Sequence, residues 1–335
     1  MEDIKLSVMI TTYNLQDYID KAIESVISQN CDFKYEILVG DDGSSDGTVD
    51  RVKVWQKKYP EIIKIFVMDR EPDKIYNRIE RASANRINLI NNAGGDYLIF
   101  LDGDDFYIDD NKLKKQVDIL DSDEYEGCIA CAHNIWMYWN EDKKEKINKA
   151  DKLKVVKSRD YWKYGMYLHS DTIMFRNIYK SGIVDELLKD YYDDNIIMFC
   201  LMDKGDIVYI PDTMVCYRQL ENSSWNSVDD MEKNIINLMD LDVEFAINKS
   251  FKRESILRHL YQMYFIWRNP NDVTEELYNK YCTKINKGKL SWTKHWIGYK
   301  NCSNIRKLRM SLWMLFMLLR YSFIKINRTL LRKNL

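Results

Sequence analysis

The chain has 335 residues, 46% of them hydrophobic and 30% charged, with four prolines. That balance supplies a core and a second domain and leaves little room for long disordered linkers. The formal net charge of −2 gives no reason to expect a nucleic-acid partner, but it hides an asymmetry: from Leu277 to Leu335 there are fourteen Lys or Arg and no Asp or Glu, against 36 basic and 52 acidic residues before them. Seven cysteines (31, 128, 131, 200, 216, 282 and 302), an odd number in mostly apolar settings, read as reduced core residues of a cytoplasmic protein. Cys128-x-x-Cys131 lacks a second pair and reads as buried strand, not a zinc site. Met1 to Lys5 leads straight into a strand, so no secretory signal is expected.

Leu6 to Thr12 is predicted as a strand ended by Tyr13-Asn14, and Asp17 to Ser28 as a helix with apolar residues at 19, 22, 23, 26 and 27. Glu36 to Gly40 is a second strand, Asp41 to Gly47 a loop, and Thr48 to Lys58 a helix that Asp46 or Thr48 can cap. Ile62 to Val67 makes a third strand. Lys74, Arg78, Arg81 and Arg86 run towards a helix expected over Ala82 to Ala93, and Tyr97 to Leu101 is the fourth strand. The alternation predicts a parallel sheet covered on both faces. No G-x-G-x-x-G follows the first strand, which argues against a dinucleotide site.

The apolar run Leu98-Ile99-Phe100-Leu101 stops in Asp102-Gly103-Asp104-Asp105. Ligands collect at the carboxyl ends of such strands. Asp102 and Asp104 share a side in extended chain and repel unless a cation joins them. A hard divalent ion shared with substrate phosphates is the usual solution, and a plain Asp-Gly turn is the alternative.

Further along, Asn111 to Asp121 is a predicted helix and Gly127 to His133 a buried strand. Trp136-Met137-Tyr138-Trp139 offers rings for ligand stacking or for strand packing, with Trp136 as the candidate. Lys143 to Lys157 reads as an exposed excursion. His169-Ser170-Asp171 precedes the apolar strand Thr172 to Phe175, so His169 is a candidate for the cleft or a structural residue. Asp193-Asp194 head an apolar helix closed by Lys204-Gly205. Helix capping explains one carboxylate and not both. Asp206 to Ile210 is a strand, and Met231 to Phe251, Glu254 to Trp267 and Asn304 to Leu331 are helices. Met310 to Ile324 is too short and interrupted for a span. Its basic flanks suit a helix lying on the inner face of an anionic membrane, with docking on the preceding domain or on a second subunit of a homo-oligomer as the alternative.

Three stretches carry a resemblance: Ser7-Val8-Met9-Ile10-Thr11-Thr12-Tyr13-Asn14, then Val39-Gly40-Asp41-Asp42-Gly43-Ser44-Ser45-Asp46-Gly47-Thr48, then Gly95 through Asp105. In order and spacing the chain resembles the family 2 glycosyltransferases of GT-A fold over roughly residues 5 to 220. The resemblance implies an α/β fold with a mostly parallel central sheet and helices on both faces. Residues 1–220 would be catalytic, with a nucleotide-sugar half to about residue 105 and an acceptor half from about 106, and residues 221–335 a helical region. It further implies a nucleotide-diphosphate sugar donor, first of all a UDP-sugar, and a divalent metal, Mn or Mg. Inversion at the anomeric carbon is implied too, with a glycan or lipid-linked acceptor of bacterial surface polysaccharide synthesis and a peripheral place on the cytoplasmic membrane.

Carried over residue by residue, Asp42 accepts from a base N–H, Thr11 and Tyr13 contact base or ribose, Asp102 takes the ribose side and Asp104 the metal. Arg86 matches the family's diphosphate arginine, although Ile87 stands where an asparagine is expected and Asn85 lies on the other side. Counting back from Gly205 makes Asp194 the catalytic base, with Asp193 and Asp105 as further acidic candidates. Leu220 stands where the family often has a metal-ligating histidine, so the expectation is a metal on Asp104, diphosphate and water alone, or one that takes His169 instead. Two other classes stay open. A nucleotidyltransferase would want a Gly- and Arg-rich loop after strand one, and a non-catalytic nucleotide-sugar-binding scaffold would be expected to lose its acid groups.

Overall fold

A computed structural model describes residues 4–71, 74, 76–158, 161, 168–180, 192–220, 228–247, 252–285 and 292–332. Tyr191, Phe251, Lys287, Lys289 and Lys333 lie outside these, as do the side chains of Cys282 and of residues beyond 322. The chain divides into two compact units, residues 1–158 with 166–220, and residues 159–165 with 221–335.

The first unit is built on a mixed sheet. Its parallel half runs β3 (Ile63–Val67), β2 (Tyr35–Asp41), β1 (Leu6–Thr12) and β4 (Tyr97–Asp102). It continues through antiparallel β9 (Met174–Arg176) to β6 (Cys128–Asn140), β10 (Asp206–Arg218) and β5 (Phe106–Tyr107). Two short strands, β7 (Lys143–Lys146) and β8 (Lys154–Val156), pair with β6 and β10. Leu6, Val8, Met9 and Ile10 are all buried, as a strand covered on both faces requires. Helix α1 (Ile19–Ile27) buries Ile19, Ala22, Ile23 and Val26, α2 (Thr48–Lys58) buries Val52, and α3 (Arg78–Asn92) buries Ile87, Leu89 and Ile90. Each such aliphatic side chain contributes about 1.5–3 kcal/mol.

Two glycines set the strand tips. Gly43 has φ +74° in the loop after β2. A Cβ on Gly103 would stand 2.9 Å from the Thr11 carbonyl oxygen and 3.1 Å from Thr12 Cβ, so only glycine lets the β4 tip lie against β1. Beneath them, α4 (Lys112–Asp121) carries two buried polar residues. Lys112 Nζ donates to Gln116 Oε1 (2.9 Å) and lies 4.1 Å from the Tyr107 ring centre, and burial pushes its ammonium down to about 7. Gln116 Nε2 donates to the carbonyls of Cys131 (3.0 Å) and Thr172 (2.9 Å), which ties a 3-10 turn at Ser170–Thr172 to the sheet.

Several boundaries differ from the sequence expectation. Helix α3 starts at Arg78 because the Asn77 side chain accepts from the Ile79 N–H (3.1 Å), which puts Arg78 and Arg81 on the helix. Trp136 to Trp139 continue β6, and the expected excursion contains β7 and β8. Thr172 belongs to the turn, not to a strand, and the strand from Asp206 runs on to Arg218. Asp46 Oδ1 accepts from the Thr48 N–H and hydroxyl, a local structural role. Cys128 and Cys131 are buried in β6, whereas Cys31 and Cys302 are only half-buried.

After α5 (Asp194–Lys204), which belongs to the first unit, the second unit is helical. It contains α6 (Asp230–Ile247), α7 (Lys252–Arg258), α8 (Leu260–Arg268), α9 (Glu275–Ile285), α10 (Trp292–Ile297) and α11 (Asn304–Arg332). The expected helix over Glu254 to Trp267 is broken at His259, and α9 and α10 were not expected. Ile235, Leu238, Met263, Ile266, Trp296 and Met314 are buried in this unit. Asp242 accepts from the N–H groups of Trp292 (3.1 Å) and Thr293 (2.9 Å) and from the Thr293 hydroxyl (2.7 Å), capping α10.

Candidate active site

Strands β1, β2 and β4 run parallel, so their carboxyl ends deliver Thr11, Asp42 and Asp102 to one edge of the sheet. The Thr11 hydroxyl donates to Asp102 Oδ1 (2.7 Å). Arg86, from α3, reaches the same carboxylate at 3.7 Å and Asp194, at the start of α5, at 3.0 Å, with its side chain only 12% exposed. One guanidinium therefore joins residues 102 and 194. Asp193 Oδ1 accepts from the Ile196 N–H (2.9 Å) and caps α5. That bond explains Asp193 and leaves Asp194 to its pairing with Arg86.

The turn before β9 completes an acidic cluster. Asp102, His169 and Asp171 each offer a ligand atom, and these atoms lie within 4.8 Å of one another. His169 Nδ1 is 3.5 Å from Asp171 Oδ2, and the His169 ring lies 4.4 Å, centre to centre, from Tyr217. Asp105 is fully buried, and its Oδ1 accepts from the Arg218 N–H (2.7 Å). The Arg218 guanidinium donates to the Asp104 carbonyl and lies 4.4 Å from the Phe106 ring centre, clamping the turn after β4.

Burial and mutual repulsion shape the titration of this cluster. Burial and Asp102 push Asp104 up to about 7, burial pushes Asp171 up to about 6 against the pull of His169, and burial with Asp171 and Asp104 holds Asp105 well above the usual range. Burial also raises Asp194, but Arg86 and His169 outweigh it and leave its carboxyl below the ordinary value. Burial disfavours the His169 imidazolium, yet Asp171, Asp194 and Asp102 raise its pKa. Five carboxylates thus face Arg86, Arg218 and one histidine. Asp171 Oδ2 is buried with no hydrogen-bond partner. Carboxyl groups crowded so closely that they hinder one another's ionisation, an orphaned carboxylate oxygen and an Asp-His-Asp donor set fit a divalent cation.

At the tip of β2, Asp42 is held from two sides. Its Oδ2 pairs with Arg70 Nη2 (2.6 Å) and its Oδ1 with Arg81 Nε (2.5 Å). The Arg70 guanidinium lies 4.1 Å from the Tyr13 ring centre, and that ring is 41% exposed. Asn85 Nδ2 donates to the Gly40 carbonyl (2.8 Å), so this asparagine fastens α3 to β2.

Of the residues singled out from sequence, Thr11, Arg86, Asp102, His169 and Asp194 come together, with Asp104 and Asp105 in the adjoining turn. Asp104 is not one of the Asp-His-Asp trio. Trp136 lies on β6 beside Cys216 of β10, and Lys146 Nζ stands 5.1 Å from its ring centre. Sequence reasoning assigned no role to Asp171, Arg70 or Arg218. For Asp171 the signal was the H-x-D spacing, with two ligating side chains two residues apart. For the arginines there was none, since their roles depend on contacts 28 and 114 residues away.

Comparison with known proteins agrees with this architecture. A crystal structure of residues 1–349 of S. aureus TarS in complex with UDP-GlcNAc superposes with a TM-score of 0.50 at 16% identity, covering 89% of this chain and 92% of that one. A Campylobacter jejuni GalNAc(5)-diNAcBac-PP-undecaprenol beta-1,3-glucosyltransferase is 40% identical over 102 residues, 30% of each chain. The uncharacterized protein Mb1547 of Mycobacterium bovis is 24% identical over 66% of this chain, which spans 61% of that relative's length. The sequence profile described as "Glycosyl transferase family 2" matches residues 7–188, more than half of the chain. With the GT-A arrangement of strands, helices and acidic strand tip in place, the chain belongs to glycosyl transferase family 2.

Proposed function

We propose that the protein is an inverting glycosyltransferase that moves a sugar from a nucleotide-diphosphate sugar, a UDP-sugar, to a hydroxyl of a glycan or lipid-linked acceptor in bacterial surface polysaccharide assembly. The observation that supports it best is the shared guanidinium. Arg86 ties Asp194 to Asp102, so a carboxylate able to take a proton is held beside the strand tip that receives the donor. An acceptor hydroxyl is too weakly acidic to attack unaided, and Asp194, kept ionised, takes its proton as the new C–O bond forms. Thr11 orients Asp102 for the ribose hydroxyls. Asp42, held as an acceptor by two arginines, and Tyr13, an exposed ring, receive the base. Asp104, or the trio of Asp102, His169 and Asp171, would hold a divalent ion, Mn or Mg, which would supply positive charge against the departing diphosphate. The undecaprenol-linked acceptor in the name of the Campylobacter relative supports a lipid-linked acceptor here. A peripheral place at the inner face of the cytoplasmic membrane belongs to the same reading, because such an acceptor stays in the bilayer.

A thermal-shift panel of UDP-, GDP- and dTDP-sugars, each with and without Mn²⁺, tests the donor class. Ligand at a hundred times its Kd stabilises by about 2.7 kcal/mol. The expected result is a rise in Tm with a UDP-sugar that grows when Mn²⁺ is present. A panel without any response would contradict a nucleotide-sugar site.

A further inference from the structure

We propose that the outward face of α11 is a docking surface for an anionic lipid bilayer. This deepens the proposed function, on which it rests for the membrane's identity. Ile305, Leu308, Leu312, Leu315, Phe316 and Leu319 are 49–73% exposed. At 100° per residue they fall within one arc of about 100°, the width of the apolar stripe by which a helix buries itself. The opposite face is already used: Met310, Met314 and Met317 are buried, and the Ser311 hydroxyl bonds to Trp267 Nε1 and the Tyr299 hydroxyl, both at 3.0 Å. The helix is fixed to its own unit by one side and presents a second apolar side to solvent. Contiguous exposed apolar surface of this kind marks an interaction site.

Charge selects the occupant. Arg309 and Arg320 border the stripe, and α11 carries seven Lys or Arg with no Asp or Glu. A second copy pairing through the same face would bring two wholly basic helices together. An anionic leaflet matches both features, apolar side chains entering the acyl boundary and guanidinium groups meeting phosphates. No helix among the described residues is long and apolar enough to cross a membrane. The face lies on the bilayer and would hold the catalytic unit beside a lipid-linked acceptor.

Flotation of the full chain with phosphatidylcholine vesicles, with or without about one third phosphatidylglycerol, tests this. The protein is expected to float with the anionic vesicles, not with the neutral ones, and to be released by high salt. Replacing Leu312, Phe316 and Leu319 together by Gln weakens binding on the order of 100-fold, and Arg309→Gln with Arg320→Gln weakens it about 25-fold. All five side chains are exposed, so the melting temperature and the UDP-sugar response stay as in the parent chain. No flotation on anionic vesicles, flotation that the triple glutamine variant retains, or a dimer that this variant splits would overturn the proposal. Flotation without any donor response would sink the sugar-transfer reading and leave the surface standing.

Discussion

Asp194→Asn is expected to lower transfer by about 10²- to 10⁴-fold, the usual value of general-base help, while donor Kd stays within a few-fold of the parent. The amide keeps the shape of the side chain and can still face Arg86, but it cannot take the proton of the attacking hydroxyl. Because Arg86 is left with Asp102 alone at 3.7 Å, some loss of stability accompanies the change, and donor binding must be measured on folded protein. Asp193→Asn is the matched control. Its carboxylate caps α5 through the Ile196 N–H, and asparagine caps about as well as aspartate, so turnover should stay near that of the parent. The check is UDP release in the presence of acceptor, beside donor titration. Near-normal turnover in Asp194→Asn would remove that residue from the mechanism.

The second large effect is expected at Asp171. Its Oδ2 is buried without a hydrogen-bond partner, 3.5 Å from His169 Nδ1 and crowded by Asp102, so its charge is kept there at a cost that a cation would offset. Asp171→Asn removes that charge and should raise the Mn²⁺ concentration needed for half-maximal transfer on the order of 100-fold. Chelation should stop transfer by the parent chain, and added Mn²⁺ or Mg²⁺ should restore it. A variant with an unchanged metal requirement would point to Asp104 alone as the metal residue.

The first four strands and the helices between them were readable from sequence because their signals are local. An apolar strand, a helical stripe and an acidic strand end recur with short connections, and that repeat gives the parallel pairing of β1 to β4 but not their order, β3-β2-β1-β4. The rest resisted for identifiable reasons. Strand β6 extends through Trp136–Trp139 because its pairing with β7 and β10 satisfies the backbone there, and no period-2 pattern announces it. The 3-10 turn at Ser170–Thr172 is held by Gln116, more than fifty residues earlier, so its sequence reads as the start of a strand. The cluster at the strand tips was legible where a motif fixes its own place, as in Asp102 at the end of β4 and Asp194 at the head of α5, which Arg86 joins. Arg70 and Arg218 acquire their positions only in three dimensions, through contacts that composition does not mark.

The most direct test is the anomeric configuration of the product made from an α-linked UDP-sugar, read by NMR from the coupling of the anomeric proton. A single displacement, with Asp194 taking the acceptor's proton, predicts a β-linked product. An α-linked product would contradict it, because retention needs a different order of bond making and breaking from the one Asp194 would assist.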